Sequence, residues 1–157
     1  MNKPEQLRDL LLTAVPHLKR NPNELHVFIK NGHVVATAAK KNLSFEYQFD
    51  LVIIVTDYAE HPDRLMVPLL AWVAEHQPEL LTNPDKRQNG IRFAVEMINK
   101  KLVDIEISLP LTERVKVTAV EGGREVEHLA EPKFDLDEGF DWTLFTSGEQ
   151  FSQQAGD

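Results

Sequence analysis

The sequence predicts a single α+β domain built on a mostly antiparallel sheet of five to six strands, with two helices packed against it. Two segments carry apolar residues at the three- and four-residue spacing of a helix, and several others alternate apolar and polar residues as strands do. The strands come in runs separated by a helix, which is typical of α+β domains. The predicted order is α-β-β-β-α-β-β-β. At 157 residues the chain is long enough to bury one core without disulfides.

The amino-terminal segment predicts a helix followed by a β-hairpin. The helix lies between Pro4, which a first helical turn accepts, and Pro16, which ends the apolar pattern. Its apolar residues share one face: Leu7, Leu10, Leu11 and Val15. Residues 25–30 and 34–38 are predicted strands joined across Asn31-Gly32, a dipeptide favoured in tight turns because both positions tolerate positive φ.

The middle of the chain predicts the central strand and the second helix. Apolar residues alternate from Phe45 to Val55, and Val52 and Ile54 make the second half of this strand apolar on both faces. We expect the following helix to cover that half. Its stripe consists of Leu65, Leu69, Trp72, Val73 and His76. Because a proline inside a helix costs about 3 kcal/mol, Pro68 predicts a late helix start or a bend near Val67.

The second half of the chain predicts further strands. Turn residues fill positions 77–90, and alternation resumes at residues 91–97 and 103–109, which are joined by a turn at 99–101. Pro110 cannot donate to a strand ladder. It therefore predicts a sheet edge or a bend before one more strand at residues 115–120.

Residues 121–157 differ from the rest in charge. They contain ten acidic and two basic residues, which accounts for the whole net charge of −8 and leaves residues 1–120 balanced. A short strand is predicted at 126–129. We expect the stretch from Glu131 to be irregular, and its aromatic residues favour partial ordering against a partner. The predicted division is an α+β domain over 1–120 and an acidic, partly irregular extension over 121–157.

Composition argues against several classes of protein. A balanced body without a basic stripe does not suit nucleic acid, whose phosphates attract Lys and Arg. No apolar run approaches the roughly 18 residues that a membrane span requires. The amino terminus lacks the pattern of a signal peptide, and the absence of cysteine suits a reducing cytoplasm. We expect a cytoplasmic protein that binds neither nucleic acid nor membrane.

One dense cluster of potential metal ligands occurs in the chain. Asp57, Glu60, His61 and Asp63 lie within seven residues, and such groups can bind a divalent cation in a metal-dependent hydrolase. The simpler interpretation is a turn after the buried strand, with Asp or Thr oxygens capping the next helix. We favour the turn because the cluster matches no known metal-binding loop. The remaining histidines, serines and glycines match no catalytic or phosphate-binding spacing, so no catalytic residue and no cofactor is predicted.

Small basic patches are the candidate contacts with partners. Solvated loop charge is the simpler interpretation of each patch. The residues selected for a partner interface are Lys40, Lys41, Lys86, Arg87 and Arg92. A small-ligand binding module is a further alternative function, and it would require an apolar pocket with converging polar groups.

Several blocks of sequence resemble the phage tail completion protein R family. They occur in order over about residues 1–120, and their number makes the resemblance more specific than one short motif. The blocks are Asn2 to Pro4, Ala14 to Pro16, Leu43 to Tyr47, Val55 to Trp72, Gln77 to Pro84 and Leu111 to Val115.

This resemblance implies a structural protein without catalytic residues. Such a protein would close the head-proximal end of the tail tube, stop polymerisation and prepare the tail for joining to a head. It would act as a ring, six-membered in similar tail terminators, and would contact the tube protein and other tail or head completion proteins. It would assemble in the bacterial host cytoplasm and remain in the virion tail.

A ring requires one heterologous contact that is repeated until it closes. An exposed sheet edge or the connection at residues 77–90 is the expected source of that contact. We further hypothesise that like-charge repulsion between the acidic segments, residues 121–157, discourages premature rings in free solution, and that salt relieves this effect.

Overall fold

The computed structural model describes residues 1–36 and 43–132. Within these ranges five α-helices, one short 3₁₀ turn at Pro22–Glu24 and five strands form. In chain order the helices and strands are α1 (Lys3–Ala14), α2 (Pro16–Arg20), β1 (Leu25–Ala36), β2 (Phe45–Tyr58), α3 (Asp63–His76), α4 (Glu79–Thr82), α5 (Pro84–Arg87), β3 (Arg92–Met97), β4 (Val103–Val120) and β5 (Gly123–His128).

The five strands form one sheet in which every described pairing is antiparallel. The order is β1-β2-β4-β3, and β5 pairs with the far end of β4. Val115 of β4 pairs with Phe45 of β2 and also with His128 of β5. Since a strand has only two edges, β5 lies on the same side of β4 as β3 does. The predicted α+β class and the mostly antiparallel sheet are confirmed.

The hairpin predicted across Asn31-Gly32 is wrong. Strand β1 runs through both residues, and its pairing with β2 changes from Lys30–Asp50 to His33–Gln48. Two residues of β1 therefore oppose Phe49 of β2, which is the arrangement of a β-bulge. Asn31 has a φ of 54°, so the conformational tolerance of the dipeptide serves a bulge. The long β2 strand pairs on both sides of the bulge and keeps β1 in the sheet.

Strand β4 continues through Pro110, so the two strands predicted around that residue are one. Pro110 pairs in register with Asp50 of β2. On the other side of β4, the pairing with β3 extends only to Ser108 and the pairing with β5 starts only at Val115, which leaves a gap at Pro110. The Thr112 amide donates to the side chain of Gln77 and therefore points away from β2. Backbone direction alternates along a strand, so Pro110 and the other even-numbered residues of β4 near it also point away from β2. The missing amide of Pro110 therefore removes no ladder bond, and the predicted edge is confirmed.

Helices α1 and α3 cover one face of the sheet. Of the two outcomes predicted for Pro68, the late start of α3 is wrong, because the helix begins at Asp63 and contains the buried Pro68, while the bend near Val67 stays a prediction. The amides of Leu65 and Met66 bond to the carbonyl of Pro62, so the first turn forms before the proline is reached. Helix and sheet meet in a core that includes Leu7, Leu11, Leu18, Leu51, Ile53, Val55, Leu65, Leu69, Val73, Ile105, Ile107, Leu109 and Leu111.

Candidate assembly surfaces

Strand β3 presents an apolar surface that the helices do not cover. Phe93 and Val95 pair with Ile107 and Ile105 of β4, and Met97 pairs with Val103, so all three side chains point to the helix face of the sheet. The isoleucines are 1% exposed, whereas Phe93, Val95 and Met97 are 67%, 40% and 73% exposed. The helix layer therefore ends over β4. We call Phe93, Val95 and Met97 the β3 stripe.

The opposite edge of the sheet is formed by β1, which pairs with β2 alone among the described strands. Its odd-numbered residues Val27 and Ile29 lie on the helix face and pack partly against the core. Its even-numbered residues include His26, Phe28 and Lys30, all exposed. The strand contains no acidic residue. This edge is consequently apolar on one face and weakly basic on the other.

The face of the sheet opposite the helices is acidic at the β3 end. Glu96 pairs with Asp104, and Ala94 pairs with Glu106, so three carboxylates lie on adjacent positions of β3 and β4. Arg92 contributes a single positive charge on the same face of β3. The two edges of the sheet thus differ in charge on this face.

The basic residues chosen from the sequence are only partly brought together. Lys40 and Lys41 lie outside the described residues. Lys86 and Arg87 are exposed on α5, and Lys86 forms a 2.9 Å ion pair with Glu79. Arg92 is exposed at the start of β3.

Two clefts connect the position of Lys86 with that of Arg92. The larger, of about 470 Å³, is lined by Lys86, and the other by Arg92; Asn31 and Asp50 line both. The larger cleft is lined by Asp50, Glu79 and Asp85 together with Lys86, which is already paired with Glu79.

The acidic cluster of the sequence is divided among separate local partners. The Asp57 amide donates to Asp104, at a bulge where Asp57 has a φ of 52°. Glu60 pairs with Arg64 at 3.3 Å and Arg20 at 3.6 Å. No three His, Cys, Asp or Glu side chains in residues 1–36 and 43–132 are grouped to hold a metal ion.

The expected capping of α3 by an Asp or Thr oxygen is wrong. The cap position is Pro62, which has no side-chain cap bond. The ring nitrogen Nδ1 of His61 instead accepts a hydrogen bond from the amide of Asp63 at 3.2 Å. A histidine therefore satisfies one of the free amides of the first turn.

A buried polar junction joins the amino terminus to β4. The Glu113 carboxylate, 5% exposed, accepts hydrogen bonds from the backbone amides of Asn2 at 3.0 Å and Lys3 at 2.7 Å. A carboxylate at this position also interacts favourably with the dipole of α1. Nδ1 of His128 lies 3.5 Å from the same carboxylate. Glu113 carries no local sequence signal, since the two amides that donate to it are about 110 positions away; the family block Leu111 to Val115 is the feature of the sequence that contains it.

The Lys3 side chain extends this junction to α3 and the last described residues. Its ammonium donates to Gln77 at 2.8 Å, to the Thr112 carbonyl at 2.6 Å and to Glu131 at 3.1 Å. Burial lowers the pKa of Lys3, and the hydrogen bond and charge of Glu131 oppose that shift. Residue 131 is thereby attached to the body of the domain.

These surfaces define the class of the protein. Exposed apolar side chains on open sheet edges mark contact surfaces for other proteins. Within the described residues no helix is long and apolar enough to cross a lipid bilayer. The fold and its surfaces are those of a structural protein that assembles with partners.

Comparison with known proteins gives the particular family. The family model of P2 phage tail completion protein R (GpR) matches residues 1–132. Tail completion protein R of Escherichia phage P2 is 42% identical over 132 residues, which cover 84% of each chain. No solved structure matches the chain. The chain therefore belongs to the phage tail completion protein R family and is a structural component of the phage tail, as the sequence blocks predicted.

Proposed function

We propose that the chain closes the head-proximal end of the tail tube, stops tube polymerisation and prepares the tail for joining to a head. Membership of the tail completion family supports a role at a tail end. The observation that carries the proposal further is the presence of two unlike sheet edges, on β1 and β3, with which no other strand of residues 1–36 and 43–132 pairs. A contact between unlike surfaces can repeat from copy to copy, and it forms a ring when the rotation between neighbouring copies closes.

The proposed ring has six copies, each in contact with the tube protein on one side and with other tail or head completion proteins on the other. Assembly takes place in the host cytoplasm before the protein becomes part of the virion. Lys86, Arg87 and Arg92 are proposed to contact a tail partner, because they are exposed and surround the edge where α5 leads into β3. No catalytic step is required by this role.

Tails from a phage that lacks its own completion protein provide the test. The purified chain is added, and tail ends and lengths are measured by negative-stain electron microscopy. We expect protein rings at one end, tails of normal length and restored joining to heads. Overlong tails with bare ends, under conditions in which a known completion protein works, would refute the proposal.

The metal-dependent hydrolase is tested separately. Calorimetric titration with manganese and zinc measures whether the segment from Asp57 to Asp63 binds a cation, with a variant that carries Asp57→Asn and Asp63→Asn as the control. Tight binding by the natural chain and its loss in the variant would favour the hydrolase. Equal heats for both proteins would remove this alternative.

A further inference from the structure

We infer that the β3 edge of one copy pairs with the β1 edge of a second copy, so that the sheets of neighbouring subunits continue into one another. This inference rests on the proposed ring and identifies its contact. It commits to another copy of this chain as the partner of the β3 stripe.

The backbone of both edges is available for such pairing. Even-numbered residues of β4 face β3, so the even-numbered residues of β3 bond to β4 and Phe93, Val95 and Met97 direct their amides outward. Odd-numbered residues of β2 bond to β4, so its even-numbered residues bond to β1. These pair with even-numbered residues of β1, and the amides and carbonyls of Val27 and Ile29 therefore point outward from the sheet. Arg8 donates to the carbonyl of Leu25, so the available part of β1 lies beyond that residue.

The directions of the strands permit the contact without turning one copy over. Because successive strands of the order β1-β2-β4-β3 are antiparallel, β1 and β3 run in opposite directions. Placing the next copy beside the first in the same orientation therefore makes β3 and the new β1 antiparallel. Copies joined in this manner meet through two different surfaces, which is the heterologous contact of a closed ring.

The side chains of the two edges are complementary. Outward-directed residues of both strands are apolar and lie on the helix face, so pairing would cover Phe93, Val95 and Met97 with Val27 and Ile29. On the other face, Glu96 of β3 would lie beside the strand that carries Lys30 and His26, with Asp104 and Glu106 of β4 one strand further away. Two β3 edges would instead bring together two surfaces that each carry three carboxylates against the single charge of Arg92, and this net negative charge disfavours a symmetric dimer.

Strand β3 also lacks the proline and the bulge that protect many free edges. Proteins place proline, bulges or inward-pointing charges on exposed edges to prevent pairing with another chain. The six residues of β3 pair with β4 without a register shift, contain no proline and expose an apolar stripe. An unprotected edge of this kind is expected where pairing is the function.

Because the chain has no cysteine, cross-linking can locate the contact directly. Ala94→Cys on β3 and His26→Cys on β1 are combined in one chain, which is added to completion-deficient tails and treated with a short thiol cross-linker. We expect a ladder of cross-linked multimers. The control combines Ala94→Cys with Val126→Cys, which lies on β5, and should give no ladder.

A second pair of variants tests the apolar contact. Val95→Lys places a charge in the β3 stripe, and Val126→Lys makes the same change at a residue 60% exposed on β5. We expect Val95→Lys to weaken multimer formation at tail ends at least tenfold and Val126→Lys to leave it unchanged. Circular dichroism and thermal unfolding confirm that each variant folds.

The outcomes separate this inference from the proposed function. Normal capping of tails by the Val95→Lys variant would refute the β3–β1 contact and leave the capping role standing. Normal capping by the double-cysteine chain without a cross-linked ladder would have the same meaning. A ladder on edge cysteines with tails that stay bare would support the contact and refute the capping role.

Discussion

At the scale of single residues, the Glu113 carboxylate supplies the cap that α1 lacks in its own sequence. Asn2 occupies the cap position but makes no side-chain bond to the helix. Glu113 instead accepts the amides of Asn2 and Lys3 from the facing strand. The start of α1 is thus defined by tertiary structure, and its stability depends on a residue of β4.

Replacing Glu113 tests this cap. Glu113→Gln retains the shape but removes the charge from a site that accepts two amides, so we expect unfolding to become easier by about 2 kcal/mol. Urea unfolding followed by circular dichroism measures the change. Glu125→Gln on the exposed strand β5 is the matched control, and equal stability of the two variants would contradict the assigned role.

Tyr58 makes the stability of the fold depend on alkaline pH. Burial raises the pKa of Tyr58 above its ordinary value, the charge of Glu60 adds to this, and Arg64 opposes it. The unfolded chain ionises this tyrosine near pH 10, whereas the folded chain keeps it neutral. The resulting stability is complete below about pH 10 and declines as the pH rises towards the folded pKa, by at most about 1.4 kcal/mol per pH unit.

We therefore expect Tyr58→Phe to lose less stability than the natural chain between pH 10 and 11. Denaturant unfolding at each pH measures the difference. A second readout uses Tyr47→Phe, in which Tyr58 is the remaining tyrosine. Its phenolate absorbance should appear together with unfolding, and ionisation in the folded chain near pH 10 would show that burial has little effect.

At the scale of elements, Gly90 allows α5 to approach the start of β3. A Cβ at this position would lie 2.6 Å from the Lys86 carbonyl oxygen and 3.2 Å from a methyl group of Leu80. The carbonyl is backbone and cannot rotate away. The close packing of α4 and α5 at the start of β3 therefore leaves no room for a side chain at residue 90.

Gly90→Ala should destabilise the chain by roughly 1–3 kcal/mol, because an inserted methyl group forces the backbone apart. Thermal unfolding measures the loss. Gly123→Ala is the control, since a Cβ there meets no atom within 4 Å. If both substitutions shift the midpoint equally, the close approach at Gly90 does not limit the fold.

At the scale of the whole molecule, the boundary between the domain and the acidic extension was predicted at residue 120, and residue 132 is the alternative boundary. The division at 120 separates β4 from β5 and removes both His128 and Glu131 from the polar junction. The family match extends to residue 132. We propose that residues 121–132 belong with the body and that the acidic extension proper begins after them.

Two truncations test that division. A chain of residues 1–132 should unfold at a denaturant concentration close to that of the full chain, whereas a chain of residues 1–120 should be measurably less stable. The first truncation should also form rings with less dependence on salt, because it lacks the remaining acidic segment. Unchanged salt dependence would refute the proposed repulsion between extensions.

The local patterns of the sequence were sufficient for the fold class and for the position of most elements. The alternation of β2, the apolar stripe of α3 and the segments around β3 and β4 all predict their elements, because side-chain direction follows the backbone period. The family was also evident, since its blocks are contiguous runs of residues. The candidate interface was less accessible, because exposed basic residues have no period that distinguishes a contact surface from solvated charge.

Tertiary structure decided what local patterns leave open. Asn31-Gly32 suits a turn or a bulge, and the length of β2 selects the bulge. Phe93, Val95 and Met97 alternate like buried residues, but their exposure depends on where the helix layer ends. Glu113 caps α1 because the fold places this residue of β4 beside the first amides of the helix. The sequence by itself determined backbone period and family, whereas burial and edge exposure required the neighbours, because both are properties of packing between distant segments.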